Sequence, residues 1–346
     1  MRTDNDEMIL SPRGLRDATS NALRLARSGR IADLRPMPAE TVEEGPGRSV
    51  RRYRPPEGLV PAGPPVLFVP PPDAPARCYD LRRGCSLAEH VVRAGRRSYL
   101  LEHGPDRDGD PGPGVRRWVG DVLPGAIRAV SRDAGGQPVQ LVGWCLGGVL
   151  ALLAAADDPG LPIASVAAIG APVDGAAARL AAPLNRAPVP VGLDRYLLRP
   201  WTMLTHLDDA DFLAHIEAID HFRHMAIVHP GDAARRFYRS ILDGGGLLRG
   251  GVEIGGRTVD LGRIGVPVLA IAGRGDAVAP VRAVRPLVRL LGGAPQVRFE
   301  IAAGGHLGVL TGREARATTW RHLDRWLDEG IVRHGIRAQR AAASTL

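Results

Sequence analysis

The sequence predicts an α/β protein with a mostly parallel sheet and helices on both faces, and three observations carry this prediction. Short apolar runs bounded by turn residues alternate with segments of helical periodicity from residue 65 onward. One such run, 139–142, leads through a glycine-flanked turn directly into the apolar segment 147–156. A block with a different pattern, 175–262, then interrupts the alternation before it resumes. Alternation of this kind is typical of βαβ units and a parallel sheet.

Residues 1–64 predict an N-terminal helix followed by an approach segment. We expect the helix, within 11–31, to dock on the main domain; the alternative is an amphipathic contact with an anionic surface or a partner helix. Residues 32–64 are rich in Pro, Arg and Glu and predict irregular chain with one edge strand near 50–53. The residues at helical spacing are Leu15, Ala18, Ala22 and Leu25.

Two stretches, 65–174 and 263–332, predict the two parts of one α/β core, and 333–346 predicts a frayed tail. The intervening block 175–262 contains helical pieces and glycine-rich turns. We expect it to be a cap over the carboxyl edge of the sheet, where open α/β sheets bind ligands. The predicted strands are 66–69, 97–101, 139–142, 163–169, 268–272 and 297–301. The predicted helices are 87–94, 115–131, 147–156, 209–222, 232–242 and 318–326.

Composition limits the functional classes. The formal net charge is +8 and the isoelectric point about 10.3, but the sequence contains no lysine and its arginines are scattered. This indicates a compositional bias rather than a nucleic-acid footprint, so we expect no nucleic-acid partner. The acidic N-terminus lacks the apolar stretch of a signal peptide, and no apolar run is long enough to span a membrane.

The three cysteines, Cys78, Cys85 and Cys145, form no CxxC motif. An odd count without that spacing argues against a disulfide framework or a zinc site, so we expect a reduced cytoplasmic protein without a metal. No G-x-G-x-x-G follows the first strand and no G-K-[ST] loop occurs. We therefore expect no bound cofactor.

Gly143-Trp144-Cys145-Leu146-Gly147 lies between a predicted strand and a predicted helix. The pattern G-x-nucleophile-x-G in this position is the nucleophile elbow of the α/β-hydrolase fold, with cysteine in the place of serine. A side chain at either glycine would collide with the adjacent strand and helix. The N-terminus of the following helix also favours a negatively charged thiolate at Cys145. The alternative is that Cys145 is a small buried residue in a tight packing corner.

Asp276 and His306 follow the elbow in the order that this fold requires: nucleophile, acid, histidine. Asp276 comes after strand 268–272 and His306 after strand 297–301. Because carboxyl ends of parallel strands meet at one edge of a sheet, we predict a catalytic triad of Cys145, Asp276 and His306. Taken singly, Asp276 could be a turn aspartate and His306 a structural loop residue. We interpret His215, His221 and His224 as surface or packing residues of the insertion rather than metal ligands.

An oxyanion hole needs two backbone N–H groups. One candidate is the amide of Leu146, directly after the nucleophile. The other is expected from the loop after the early strand, Val69-Pro70-Pro71-Pro72-Asp73-Ala74-Pro75. Because proline has no N–H, Asp73 and Ala74 are the donors that this loop offers.

With these residues the chain resembles the poly(3-hydroxyalkanoate) synthases and, by its length, their short, class III-like catalytic subunits. The resemblance covers about 60–330 and lies in GWCLGG, in VPPP with Tyr79-Asp80-Leu81 downstream, in EIGGRTVDL and in GGHLGVLTG around His306. It implies an acyltransferase that polymerises 3-hydroxyacyl-CoA thioesters, with Cys145, Asp276 and His306 as its triad. It also implies a second, non-catalytic synthase subunit and a polyester granule surface as partners. We expect a homo-oligomer.

The triad residues alone leave other functions open. A cysteine-nucleophile hydrolase acting on esters, lactones or thioesters would use the same three side chains with water as the acceptor. A non-catalytic surface or assembly protein that kept the fold is a third interpretation. The synthase-like segment 248–280 favours the acyltransferase.

Overall fold

A computed structural model describes residues 11–72, 74–103, 114–178, 199–227, 241–242, 245–249 and 251–333. The predicted helix over 232–242 and the predicted tail fall mostly outside these ranges. The strands within them are β1 (Ala39–Gly45), β2 (Arg48–Tyr53), β3 (Val66–Val69), β4 (Ser98–His103), β5 (Val139–Trp144), β6 (Ile163–Ile169), β7 (Val252–Ile254), β8 (Arg257–Val259), β9 (Val268–Gly273) and β10 (Val297–Ala302).

The helices of the described residues are α1 (Pro12–Ser28), α2 (Leu87–Arg93), α3 (residues 115–133), α4 (Leu146–Asp157), α5 (Arg199–Leu204), α6 (Ala210–Ile227), α7 (Val281–Val284), α8 (Leu287–Leu290), α9 (Gly308–Thr311) and α10 (Thr319–Arg333). Helix α3 is continuous through Val115–Arg117, a π-helical turn at Trp118–Val122 and Leu123–Asp133.

Eight strands form one sheet in the order β1-β2-β4-β3-β5-β6-β9-β10. Strand β2 pairs antiparallel with β1 and β4, and the neighbours from β4 to β10 are parallel. Every residue of β3, β5, β6 and β9 is buried. Central parallel strands are covered on both faces, which is why they are continuous apolar runs in the sequence. The predicted α/β fold with a mostly parallel sheet is confirmed.

Three features differ from the prediction, and the first two lie in sequence that lacks a clear apolar signal. Strand β1 is AETVEEG, partly buried and paired only with β2 at the sheet edge. The separate hairpin of β7 and β8 lies in glycine-rich sequence that was expected to form turns. Helix α10 extends beyond the predicted end because its buried residues continue at helical spacing as far as Gly330.

Helix α1 docks against α6, which lies in the block expected to be an insertion, rather than against the main sheet. Its N-terminus is capped by Ser11, whose Oγ accepts the Gly14 amide at 3.0 Å. The Asn21 side-chain amide donates to the Leu207 carbonyl at 2.8 Å. After the helix, the amides of Ile31 and Ala32 donate to the carboxylate of Glu217 on α6. The N-terminal segment and α6 therefore form one packed unit.

The start of α6 is tied by ion pairs to two loops of the core. Asp211 pairs with Arg82 at 2.6 Å and with Arg316 at 3.4 Å. Asp209 pairs with Arg313 at 2.7 Å. Arg82 lies downstream of β3, while Arg313 and Arg316 lie downstream of β10. These pairs hold α6 beside loops that leave the carboxyl ends of the strands.

Candidate active site

The turn between β5 and α4 has an unusual backbone conformation at Cys145. Its φ is 54° and its ψ is −126°, and it is the one non-glycine with positive φ among the described residues. Its amide donates to the Ile169 carbonyl at 2.9 Å, and its carbonyl accepts the amides of Gly148 and Val149. Strained conformations of this kind persist only where the surroundings fix them, and they concentrate at functional sites.

The glycines around Cys145 are explained by close backbone approaches. A Cβ on Gly143 would lie 2.5 Å from the Cα of Gly148 at the start of α4. A Cβ on Gly147 would collide with the carbonyl oxygen of Val69 at the end of β3. The turn therefore accepts a side chain at Cys145 but not at these two positions, as the elbow pattern predicts.

Asp276 and His306 are brought together at the carboxyl edge of the sheet. Asp276 Oδ2 lies 2.8 Å from His306 Nδ1. Asp276 Oδ1 accepts the backbone amides of Val278 at 2.9 Å and Ala279 at 2.7 Å. The Asp276 side chain is fully buried and that of His306 is 17% exposed. The carboxylate is thus fixed by the backbone on one side and orients the imidazole with the other.

The second partner of His306 is the Cys145 side chain, with which it forms a hydrogen bond. Burial disfavours the charged imidazolium, but the negative charge of Cys145 and hydrogen bonds to Asp276 and Cys145 outweigh it. Together they raise the pKa of His306 to about 10. The geometry joins the three residues predicted as the triad.

Two further aromatic residues contact this site and were not predicted from the sequence. Trp144 donates from its indole Nε1 to the His306 carbonyl at 3.0 Å, and its ring lies 5.0 Å from the imidazole. The Tyr79 hydroxyl lies 2.8 Å from the Val69 carbonyl and 3.0 Å from the Val142 carbonyl, on the strands beside the elbow. Burial raises the pKa of Tyr79 well above its usual range, so the phenol remains a neutral donor. No local pattern could reveal the Trp144 contact because its partner is 162 positions away.

The predicted oxyanion-hole donors differ in whether their amides are available to a substrate. Leu146 is the first residue of α4, and the first amides of a helix have no acceptor within it. The Ala74 amide donates to the Pro71 carbonyl at 3.2 Å, so this donor is used within its own loop. Asp73 lies outside the described residues. Leu146 therefore stays a candidate by position, whereas the structure gives no support to Ala74.

Within the described ranges of the chain, no group of three or more His, Cys, Asp or Glu side chains could hold a metal ion. None of the helices in these ranges has the length and apolar character needed to cross a bilayer.

The strand order and the elbow define an enzyme of the α/β-hydrolase fold. An esterase from Thermogutta terrifontis has a TM-score of 0.51 and 15% identity over 85% of this chain and 99% of its own. A meta-cleavage product hydrolase from Pseudomonas fluorescens has the same TM-score at 17% identity, over 82% of this chain and 95% of its own. At such low identity these likenesses concern the fold alone.

In sequence, the chain is similar to poly(3-hydroxyalkanoate) polymerase subunits. It is 24% identical to PhaC from Allochromatium vinosum over 302 residues, 80% of this chain and 84% of the relative. It is 22% identical to PhaC from Thiocystis violacea, over 84% of this chain and 88% of the relative. No family model matches the chain. The resemblance drawn from the motifs is confirmed: the chain is a synthase-like enzyme.

Proposed function

We propose that the chain is an acyltransferase that polymerises 3-hydroxyacyl-CoA thioesters. The observation that carries the proposal is the placement of His306 between a cysteine at the elbow and a buried, backbone-anchored aspartate. The similarity to two PhaC subunits over at least four fifths of the chain supports the substrate class. The cysteine suits this substrate because exchange between two thioesters is nearly thermoneutral, so the acyl-enzyme stays reactive.

In the acylation half, the Cys145 thiolate attacks the thioester carbonyl and forms a new C–S bond. Negative charge develops on the carbonyl oxygen, where we place the Leu146 amide at the N-terminus of α4 as a donor. The intermediate then expels CoA, which leaves as a thiol with the proton held by His306. Asp276 keeps the imidazole in the tautomer and orientation that this transfer needs.

In the transfer half, neutral His306 accepts the proton of a 3-hydroxyl group, and the oxygen attacks the acyl-cysteine carbonyl. The new ester C–O bond forms as the C–S bond breaks, so Cys145 returns as a thiolate beside an imidazolium. Water in place of the hydroxyl would give a free acid. Selectivity for the hydroxyl therefore requires limited access of water.

We assign that protection to the block 175–262, as a cap. The ion pairs of Asp209 and Asp211 with Arg82, Arg313 and Arg316 support this assignment, because they join α6 to loops leaving β3 and β10. A second synthase subunit and a polyester granule surface complete the proposal and rest on the family resemblance. The proposal also includes self-association and, from the cysteine pattern, a cytoplasmic location.

The test is to incubate purified protein with 3-hydroxybutyryl-CoA and to measure released CoA, free acid and insoluble polyester. We expect CoA and polyester in comparable amounts, and neither from Cys145→Ala. Cys78→Ala is the matched control, since it removes another buried thiol and should keep the activity. Free acid instead of polyester would overturn the proposal in favour of the hydrolase. No CoA release would overturn both.

A further inference from the structure

Trp144 connects the nucleophile strand to the histidine loop. It is the residue before Cys145 and is only 4% exposed. Its Nε1 donates to the His306 carbonyl at 3.0 Å, and its ring centroid lies 5.0 Å from the imidazole, tilted by 36°. One side chain thus contacts both the backbone and the ring of His306.

The backbone of Trp144 is itself held in place. In the sheet it is opposite Ile169 at the end of β6, and the next amide along the chain, that of Cys145, donates to the Ile169 carbonyl at 2.9 Å. Tyr79 is fully buried and lies within hydrogen-bond distance of the carbonyls of Val69 and Val142. A residue that orients another side chain must itself be held in place. These backbone contacts hold the Trp144 indole in that way.

The loop that carries His306, which follows β10, is anchored by hydrogen bonds to two neighbouring parts of the structure. Gly304 has a φ of 111°, and its carbonyl accepts the Gly275 amide at 3.0 Å, which anchors the loop toward β9. The bond from Trp144 anchors the loop toward β5, where Cys145 lies. The two bonds therefore act on opposite flanks of His306.

We propose that Trp144 is a positioning residue for His306. Its indole N–H holds the backbone of the histidine loop, and its ring face stabilises the charged form of the imidazole. This inference rests on the proposed function. An aromatic face within about 6 Å of a cation attracts it. The hydrogen bond fixes the distance from the imidazole to Cys145, and the ring stabilises the imidazolium formed when the thiol ionises.

The chain contains a matched control in Trp320. Its Nε1 donates to the Leu310 carbonyl at 2.9 Å, its ring lies 4.8 Å from His90, and it is 5% exposed. Trp144→Phe and Trp320→Phe each remove one buried indole–carbonyl bond, so they should lower the thermal midpoint by similar amounts. A purely structural role for Trp144 would make the two variants equivalent in every other measurement.

The first readout is turnover of 3-hydroxybutyryl-CoA. We expect Trp144→Phe to lower kcat by about tenfold with KM nearly unchanged, because the bond orients His306 rather than binding substrate. Trp320→Phe should keep the kcat of the original chain. Equal kcat values for the two variants would overturn the inference.

The second readout is alkylation of Cys145 by iodoacetamide across pH, which requires no substrate. In the original chain we expect a step in the rate near pH 10, where His306 loses its proton. Trp144→Leu, which also removes the ring, should move the step down by roughly half a pH unit, and Trp320→Leu should not. An unmoved step in Trp144→Leu contradicts the inference alone. Absence of the step in the original chain contradicts the triad, and with it the proposed function.

Discussion

Within the described residues, two clusters combine a histidine, an aspartate and a tryptophan, and we propose only the one beside Cys145 as a catalytic site. In each, a carboxylate lies within 3.0 Å of a ring nitrogen: Asp276 bonds His306, and Asp324 bonds His90. In each, a tryptophan ring lies within 5.0 Å of the imidazole: Trp144 in the first, and Trp320 in the second. The list of side chains does not distinguish the clusters.

Burial and the second ring nitrogen do distinguish them. The Asp276 side chain is fully buried and takes two backbone amides, whereas Asp324 and His90 are 35% and 32% exposed. His306 binds its aspartate through Nδ1, which leaves Nε2 available for Cys145. A histidine–aspartate pair thus becomes chemically useful where the fold supplies a nucleophile and excludes solvent.

The strongest test of this contrast replaces the two histidines. His306→Ala should reduce CoA release from 3-hydroxybutyryl-CoA by more than about 10⁴-fold, because it removes the base that we propose for the thiol proton. His90→Ala should retain activity within about twofold, since its contacts lie with α10 rather than with Cys145. Comparable losses in both variants would show that the two clusters act together and would remove the basis for the distinction.

The next test replaces the two carboxylates. Asp276→Asn keeps the shape but removes the charge that orients the imidazole, and a loss of about 10³- to 10⁴-fold in kcat is expected. Asp324→Asn makes the same chemical change at the partly exposed pair with His90 and should leave kcat unaltered. Circular dichroism of both variants checks that the fold is kept. A fully active Asp276→Asn enzyme would mean that the buried aspartate has a structural role only.

A smaller and more specific effect is expected in the pH dependence of Cys145 alkylation. Because Asp276 is one of the groups that raise the pKa of His306 to about 10, Asp276→Asn should move the step near that pH to lower values. Removing a negative partner destabilises the imidazolium, so the shift must be downward. Asp324→Asn should leave the step in place. An upward shift would contradict the charge assignment.

The sequence was sufficient to predict that Cys145, Asp276 and His306 share one edge, because each follows a strand of the parallel sheet and strand order determines which loops lie together. Trp144 could not be predicted, because whether a buried tryptophan reaches a particular carbonyl depends on packing across the sheet. The docking of α1 on α6 was missed for a similar reason. Its hydrogen bonds from Asn21 and to Glu217 connect segments 186 residues apart, and neither segment carries a signal for the other.

The oxyanion loop shows a different limit. Eliminating its prolines leaves Asp73 and Ala74 as the candidate donors, but whether an amide is free depends on how the loop turns. The Ala74 amide donates to the Pro71 carbonyl, and the run of prolines in the sequence does not predict this local hydrogen bond. The residue types of a loop therefore show which residues carry a backbone N–H, but they do not predict the direction of that N–H in the folded loop.

The smallest expected effect is on stability at the partly exposed pair of His90 and Asp324. Asp324→Ala should lower the free energy of unfolding by no more than about 0.5 kcal/mol, because solvent reaches both side chains and weakens their interaction. Urea denaturation at low and high salt measures this, and high salt should reduce the difference further. Asp276→Ala is the matched comparison. It leaves two backbone amides and the imidazolium without their buried acceptor, and a loss of about 3 kcal/mol is expected, largely independent of salt. A loss at Asp324 as large as that at Asp276 would contradict the claim that burial separates the two clusters.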